Sequence, residues 1–260
     1  MSTKAVLITG ANGEIGHGLI DRLAKQQSDV RIVALDVHPL GKDIKHRCHE
    51  VVVGDIMDRT IIDRLAAFYD FRTIYHLAAI LSTKAEREPE LGHRVNVDGT
   101  LNLLELAARQ SRATGENVKF LFPSSIAVYG LPDVETKMNA GKVKETQWTQ
   151  ARTMYGINKR YCEDLGRYYN WYYRQIDPQP AVGHVDFRAL RFPGLISSQT
   201  LPTGGTSDYG PEMLHMAAQG KPYTCFVPES ATLPFMTIPD AIEALLKLEA
   251  VPAKNLTQVV

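Results

Sequence analysis

Short apolar runs rich in Val and Ile alternate along the chain with longer segments whose apolar positions recur at helical intervals. A strand buried on both faces reads as a continuous apolar run, and a helix laid on a sheet repeats every three or four residues. The alternation therefore predicts a parallel sheet covered by helices on both faces. The expected strands are Ala5–Thr9, Arg31–Asp36, Val51–Val53, Thr73–Leu77, Lys119–Phe122 and Val185–Leu190, and the expected helices are Gly13–Lys25, Arg59–Phe68, Glu90–Arg112 and Tyr155–Arg174. Each crossover is long enough to return the chain in parallel, which gives right-handed βαβ units and a doubly wound α/β fold.

Two stretches leave the alternation. Leu131–Thr153 is polar and without period, and Gln175–Gly183, with Pro178 and Pro180, reads as a surface insertion before the sixth strand. Beyond Leu195 the pattern changes again: Pro202, Gly204 and Gly205 form a loop, Glu212–Gln219 a helix, and Ile238–Leu248 another that begins near Pro239. Residues 1–195 are thus expected to form the sheet domain, and residues 196–260 a small substrate-binding unit over the carboxyl edge of the strands.

Composition narrows the partners. With 260 residues and 44% hydrophobic content the chain can bury a full core. Its 29 basic residues balance its 29 acidic ones, so no overall field favours nucleic acid or an anionic membrane surface, and a small-molecule partner is expected. No apolar stretch approaches the ~20 residues that cross a bilayer, and the run from Met1 through Lys4 lacks the regions of a signal peptide. The expected location is the cytoplasm. Cys48, Cys162 and Cys225 are far apart and read as reduced thiols, and the eight histidines show no metal-ligand spacing, so no metal is expected. The glycosylation match Asn255-Leu256-Thr257 is read as chance.

The first strand ends in Thr9-Gly10-Ala11-Asn12-Gly13-Glu14-Ile15-Gly16. Glycines at that spacing let the backbone approach a pyrophosphate and aim the unpaired amides of a helix N-terminus at its charge. Gly10, Asn12, Gly13, Glu14 and Ile15 are the expected contacts. Asp36 lies 20 residues beyond Gly16 at the end of the second strand, where a carboxylate accepts the ribose hydroxyls of NAD and repels the 2′-phosphate of NADP. Val37 and His38 follow rather than an Arg pair, so NAD is the expected cofactor in a Rossmann-type site. Asp55 and Ile56 are placed to meet the adenine, and Leu77, Ala78 and Ala79 let the cofactor lie close to backbone.

Tyr155 and Lys159 stand four residues apart, one turn from each other on one helix face. A phenol of pKa ~10 becomes a base near neutral pH only if shifted by roughly 3 units, and Lys159 with a positive nicotinamide is expected to favour the phenolate. Ser125, at the carboxyl end of the fifth strand, can hydrogen-bond a substrate oxygen while Tyr155 takes its proton.

Through the Gly10/Gly13/Gly16 turn, His76-Leu77-Ala78-Ala79, Asn96, Ser125 ahead of Val128-Tyr129-Gly130, and Tyr155-x-x-x-Lys159, the sequence resembles the extended short-chain dehydrogenases over nearly its whole length. That resemblance implies catalysis by Ser125, Tyr155 and Lys159, with Ser124, beside the serine, as a substrate contact. It also implies an Asn96 that supports the sheet and a relay water near the lysine and belongs, with Tyr155 and Lys159, to the cofactor-binding set, and a Phe192 beside the nicotinamide. Pro123–Gly130, Arg191–Ser197 and Gly204-Gly205-Thr206-Ser207-Asp208-Tyr209 resemble the short-chain type of L-threonine 3-dehydrogenase. The Gly204–Tyr209 string is a turn entering a helix, whose amides and the hydroxyls of Thr206 and Ser207 can hold a carboxylate. Ser82 resembles a substrate-contacting serine of the same enzymes. What this resemblance implies is oxidation of the threonine β-hydroxyl, a homodimer packed through the Glu90 and Tyr155 helices, and a substrate lid that extends past Val260. Thr203 stands where that type more often has Gly.

The competing readings are a sugar-acid dehydrogenase, a nucleotide-sugar epimerase, and a non-catalytic NAD-sensing regulator on the same fold. Residues 196–260 offer an epimerase little room or positive charge, and a regulator has no need of Ser125, Tyr155 and Lys159 together. The aromatic cluster of Tyr168, Tyr169, Trp171, Tyr172 and Tyr173 reads as core or subunit contact.

Overall fold

The computed structural model describes residues 3–26, 30–179, 182–198, 200–202 and 204–256. A six-stranded parallel sheet, in the order β3-β2-β1-β4-β5-β6, forms its centre. The strands are β1 (Thr3–Thr9), β2 (Ile32–Asp36), β3 (Glu50–Val53), β4 (Tyr69–His76), β5 (Val118–Ser125) and β6 (Val185–Phe192). Chain order reverses between β1 and β4, which opens a crevice at the carboxyl ends of the strands, the place where such sheets take their ligands.

Strand side chains alternate between faces, so neighbouring residues feed different cores. Leu7, Val33, Leu35, Phe71, Ile74 and Phe120 meet the helices α3 (Arg59–Phe68), α6 (Gly99–Thr114) and α8 (Met154–Arg167) on one side. Ile8, Ala34, Tyr75 and Leu121 meet α1 (Glu14–Gln26) and α10 (Ile238–Ala250) on the other. Between them run the short helices α2 (Lys42–Lys45), α4 (Ser82–Arg87), α5 (Pro89–His93), α7 (Val134–Asn139) and α9 (Tyr209–Ala218). A parallel pair of β7 (Gly194–Ile196) with β8 (Phe235–Thr237) lies apart from the sheet.

The structure departs from the sequence pattern where local geometry is not helical or strand-like in the ordinary sense. The helix expected at Glu90–Arg112 runs from Pro89 to Thr114 and widens into a π turn at Arg94–Asp98. Within it the Thr100 hydroxyl donates to the Asn96 carbonyl at 2.6 Å. The helix expected to continue to Arg174 also widens, at Tyr168–Tyr172, where adjacent rings crowd and Tyr169 stacks on Tyr173 at 4.6 Å. Leu131–Thr153, read as polar and without period, contains α7, whose N-terminus is capped by Asp133 accepting from the Thr136 amide.

The expected unit of residues 196–260 does not stand apart as a whole. Thr237 caps α10, and Ile238, Ala241, Ile242 and Leu245 are buried against Leu19, Ile20 and Leu121, so this helix completes one face of the sheet. The Gln175–Gly183 insertion is described except at residues 180 and 181, and Thr203 and Thr257 lie outside the described residues. Among the described residues no helix is long and apolar enough to cross a membrane.

Candidate active site

The glycine turn is cut to a shape that side chains would fill. Gly10 has φ +65°, and a Cβ there would stand 2.5 Å from the Ala78 backbone nitrogen; one on Gly16 would stand 2.5 Å from the Ala11 carbonyl oxygen. Beyond this turn α1 begins at Glu14, and the first amides of a helix have no intrahelical acceptor. Asp36 closes the turn from the side: its Oδ2 accepts from the Asn12 amide at 2.8 Å and its Oδ1 from the His38 amide at 2.9 Å. Each oxygen keeps a second lone pair, so the carboxylate is held in place and can still accept ribose hydroxyls.

This turn forms one end of a cleft of about 960 Å³. Asn12, Glu14, Ile15, Asp55, Ile56, Leu77, Ala78 and Ala79 line that end, and Phe192 lines the wall near β6. The volume lies in the range of cofactor-sized sites. A backbone cradle that only glycine allows and a fixed carboxylate followed by Val37 and His38 make these residues fit NAD.

The other end of the cleft carries the reactive side chains. The Thr153 side chain caps α8 by accepting from the Gly156 amide at 3.0 Å. A Cβ on Gly156 would lie 2.1 Å from the Ala127 carbonyl oxygen, so this glycine lets α8 press against the end of β5. The approach brings Tyr155 and Lys159 into the same cleft as Ser125. The Ser125 oxygen accepts from the Ala127 amide at 3.1 Å, which leaves its own proton to donate. Lys159 is 4% exposed; its Nζ donates to the Pro123 carbonyl at 2.7 Å and lies 4.5 Å from the centre of the Phe122 ring and 5.6 Å from that of Tyr155.

Electrostatics in the chain alone run against one expectation. Burial pushes the Tyr155 phenol up to about 12 rather than down, and burial pulls the Lys159 ammonium down to about 8, partly offset by the attraction of Cys162 and Glu163. Desolvation is the leading cause for both groups.

Three further expectations are corrected. Ser124 does not offer its hydroxyl to a substrate: it is buried and donates to Glu163 Oε1 at 2.6 Å, because successive strand residues face opposite ways. Asn96 does not line the cleft; its carboxamide accepts from the Ile80 amide at 2.7 Å and donates to the Ile80 carbonyl at 3.1 Å, clamping the loop after β4. The amides of Gly204 and Gly205 are not open to a carboxylate either, since Asp208 Oδ2 accepts from them at 2.8 and 2.6 Å. The Thr206 amide donates to Ser82 Oγ at 2.9 Å, and the two side-chain hydroxyls pair at 3.2 Å. Ser82, Thr206 and Ser207 do line the cleft.

Sequence reasoning missed two buried networks. Thr9, His76 and Thr100 form a chain, at 2.8 and 2.9 Å, that ends on the Asn96 carbonyl; burial, then the charge of Lys159, hold His76 neutral by pulling it down to about 3. Glu163 pairs with Arg191 through Nε at 2.8 Å and Nη2 at 2.7 Å. The partners in both are far apart in the chain, and no local spacing marks them. The i+4 step from Lys159 to Glu163 was the one visible hint. Among the described residues no group of His, Cys, Asp and Glu is placed to hold a metal ion.

Comparison with known proteins gives a concordant picture. A family model described as the NAD dependent epimerase/dehydratase family matches residues 6–257. An "uncharacterized epimerase/dehydratase" of Staphylococcus aureus is 34% identical over 252 residues, 96% of this chain and 72% of that protein. The GalE-like L-threonine dehydrogenase of Cupriavidus necator, in its holo form, superposes with a TM-score of 0.83 at 34% identity, covering 98% of this chain and 75% of that one. A monomeric L-threonine 3-dehydrogenase from a metagenome superposes at 0.82 and 34% identity, covering 97% and 74%.

Proposed function

The chain belongs to the NAD dependent epimerase/dehydratase family and is an NAD-dependent oxidoreductase acting on a CH–OH group, and we propose that its substrate is L-threonine, oxidised at the β-hydroxyl to 2-amino-3-ketobutyrate. The observation that carries this reading is the meeting of Ser125, Tyr155 and Lys159 in one cleft with the glycine turn and Asp36. The likeness to L-threonine dehydrogenases over 98% of the chain supports the choice of alcohol.

In this reading Ser125 donates its proton to the substrate hydroxyl oxygen and fixes it beside Tyr155. The Tyr155 oxygen, as phenolate, accepts the hydroxyl proton. Lys159, at about 8 still largely protonated at neutral pH, would act together with the positive nicotinamide of bound NAD to draw Tyr155 down from the high value that burial gives it in the chain alone. NAD, when bound at the glycine turn, would supply the acceptor for the hydride of the β-carbon, which becomes the carbonyl carbon of the product. Ser82, Thr206 and Ser207 contact the amino-acid end of the substrate. The substrate-binding unit is residues 196–237, and the cofactor-binding part is residues 1–195 together with α10.

The test is NADH absorbance with L-threonine, L-serine and a set of sugar acids. Threonine is expected to give the strongest signal, and Tyr155→Phe is expected to lower kcat by at least ~10²-fold, the low end of general-base catalysis, while NAD still binds. A strong signal from sugar acids and none from threonine would move the assignment to a sugar-acid dehydrogenase. A homodimer belongs to the same reading, supported by the exposed Ile157, Tyr161 and Tyr168 on the outer side of α8 and its continuation. Sedimentation of a single 28.9 kDa species would remove it.

A further inference from the structure

Glu163 and Arg191 are buried charges that the chemistry above does not use; their side chains are 3% and 6% exposed. Glu163 lies one turn beyond Lys159 on α8, and Arg191 faces Ser124 across the β5–β6 ladder. The Glu163 carboxylate accepts from both Arg191 nitrogens, from the Ser124 hydroxyl at 2.6 Å, and from Arg160 at a longer 3.4 Å. One of these partners, Ser124, sits in the strand end that presents Ser125, and another, Arg191, sits on the neighbouring strand β6. The remaining Arg191 nitrogen, Nη1, donates to the Tyr129 hydroxyl at 3.0 Å and to the Glu145 carbonyl at 2.7 Å, and the guanidinium lies 4.9 Å from the Tyr129 ring centre.

One continuous path thus joins three parts of the cleft. It starts on the helix that carries Tyr155 and Lys159, crosses the strand that carries Ser125, and ends on Tyr129, which lines the cleft. The Pro123 carbonyl held by Lys159 and the Ser124 hydroxyl held by Glu163 are adjacent residues, so α8 grips the same strand end at two successive points. A bidentate guanidinium–carboxylate pair is directional in a way that a lysine pair is not. A buried pair of this kind is weak evidence of added stability, because desolvation offsets its attraction. Geometry is what it supplies.

We propose that Glu163 and Arg191 are a positioning pair for the oxidation: they fix the Ser125 strand end against the Tyr155 helix and transmit that register to Tyr129 on the substrate side. The proposal rests on the reading of Ser125 and Tyr155 as reacting partners. Neither Glu163 nor Arg191 lines the cleft. Misplacing a reacting group by about 1 Å costs about 10²-fold in rate, so kcat should respond while the distant glycine turn, and with it NAD binding, should not.

The test uses Arg191→Lys, which keeps the charge but loses the fork, and Tyr129→Phe, which removes one hydrogen bond and leaves the buried pair intact. With L-threonine, kcat is expected to fall about 10²-fold in Arg191→Lys and roughly fivefold in Tyr129→Phe, with the NAD Kd within about twofold of wild type. Hydrogen exchange of the NAD-bound proteins is read alongside, and segments 126–131 and 143–148 are expected to exchange faster in both variants. A folded Arg191→Lys protein with wild-type kcat and unchanged exchange in those segments would overturn the pair. So would an NAD Kd that rises in step with the loss of turnover. If Arg191→Lys does not fold, Tyr129→Phe decides by the same two readouts. Failure of the wild-type chain to form NADH from threonine would instead sink the substrate reading, and the exchange comparison would still judge the pair.

Discussion

Gly10 and Asp36, at the cofactor end of the cleft, sit where the sheet strands β1 and β2 end, whereas Ser82 and Thr206, at the substrate end, are held by hydrogen bonds between the start of α4 and a loop. Leu7, Ile8, Leu35 and Ile74 behind the cofactor end are fully buried, while Leu201, Met213, Leu214 and Phe226 in the substrate-facing segment are exposed. The contrast teaches a division of labour. A cofactor site has one shape to keep and is cast into the sheet, while the substrate segment is fastened lightly and can vary without unfolding what lies beneath it. Ser125, Tyr155 and Lys159 stand on the seam, attached to the rigid side.

The strongest way to break this comparison is Gly10→Ala. An added Cβ meets the Ala78 backbone at 2.5 Å in a backbone conformation with φ +65°, so the variant should lose about 3 kcal/mol of stability and measurable NAD affinity, read by thermal melting and by titration. A mild effect on both would show that the turn is pliable.

Acid should act next, and again on the sheet side. The folded His76 pKa, down to about 3, lies below the ordinary 6.5, so between those values the unfolded chain binds a proton that the folded chain does not. Its contribution to stability is complete above about pH 6.5 and is lost as pH falls toward 3, about 2 kcal/mol of it by pH 5. Unfolding curves at pH 7 and pH 5 should therefore lie closer together in His76→Gln than in the wild type, and equal spacing would remove His76 from the account.

On the substrate side the effects should shift from stability to affinity. Ser82→Ala deprives the Thr206 amide of its acceptor, and the KM for L-threonine is expected to rise about tenfold with melting temperature and NAD Kd little changed. The smallest effect belongs to Phe226→Ser, at a residue 61% exposed, where stability should move by less than about 0.5 kcal/mol. A loss as large as that of Gly10→Ala at this position would erase the distinction between the two regions.

Much of the rigid side is legible from the chain alone, for a physical reason. A strand buried on both faces must be apolar throughout, as Ile32–Leu35 is, and a turn against a pyrophosphate must be glycine, so these residues declare their surroundings locally. The π turn at Arg94–Asp98 is not legible, because one extra residue in a turn leaves the apolar rhythm of a long helix almost unaltered. Neither is the Glu163–Arg191 pair, whose partners lie 28 residues apart. Ser124 and Ser125 look alike in sequence, and only the pleat of β5 decides that one faces Glu163 and the other the cleft. The loop at Gly204–Asp208 misleads for a related reason: its amides look available until Asp208 and Ser82 are seen to fill them.

Direct transfer of a hydrogen from the alcohol carbon to the cofactor, with Tyr155 taking the hydroxyl proton, is the central claim. L-Threonine carrying deuterium at the β-carbon, incubated with the protein and NAD, should yield NADH one mass unit heavier, formed more slowly than from unlabelled threonine, and Tyr155→Phe should slow its formation by at least ~10²-fold. Unlabelled NADH from the deuterated substrate, or heavy NADH formed at the wild-type rate by Tyr155→Phe, would contradict it.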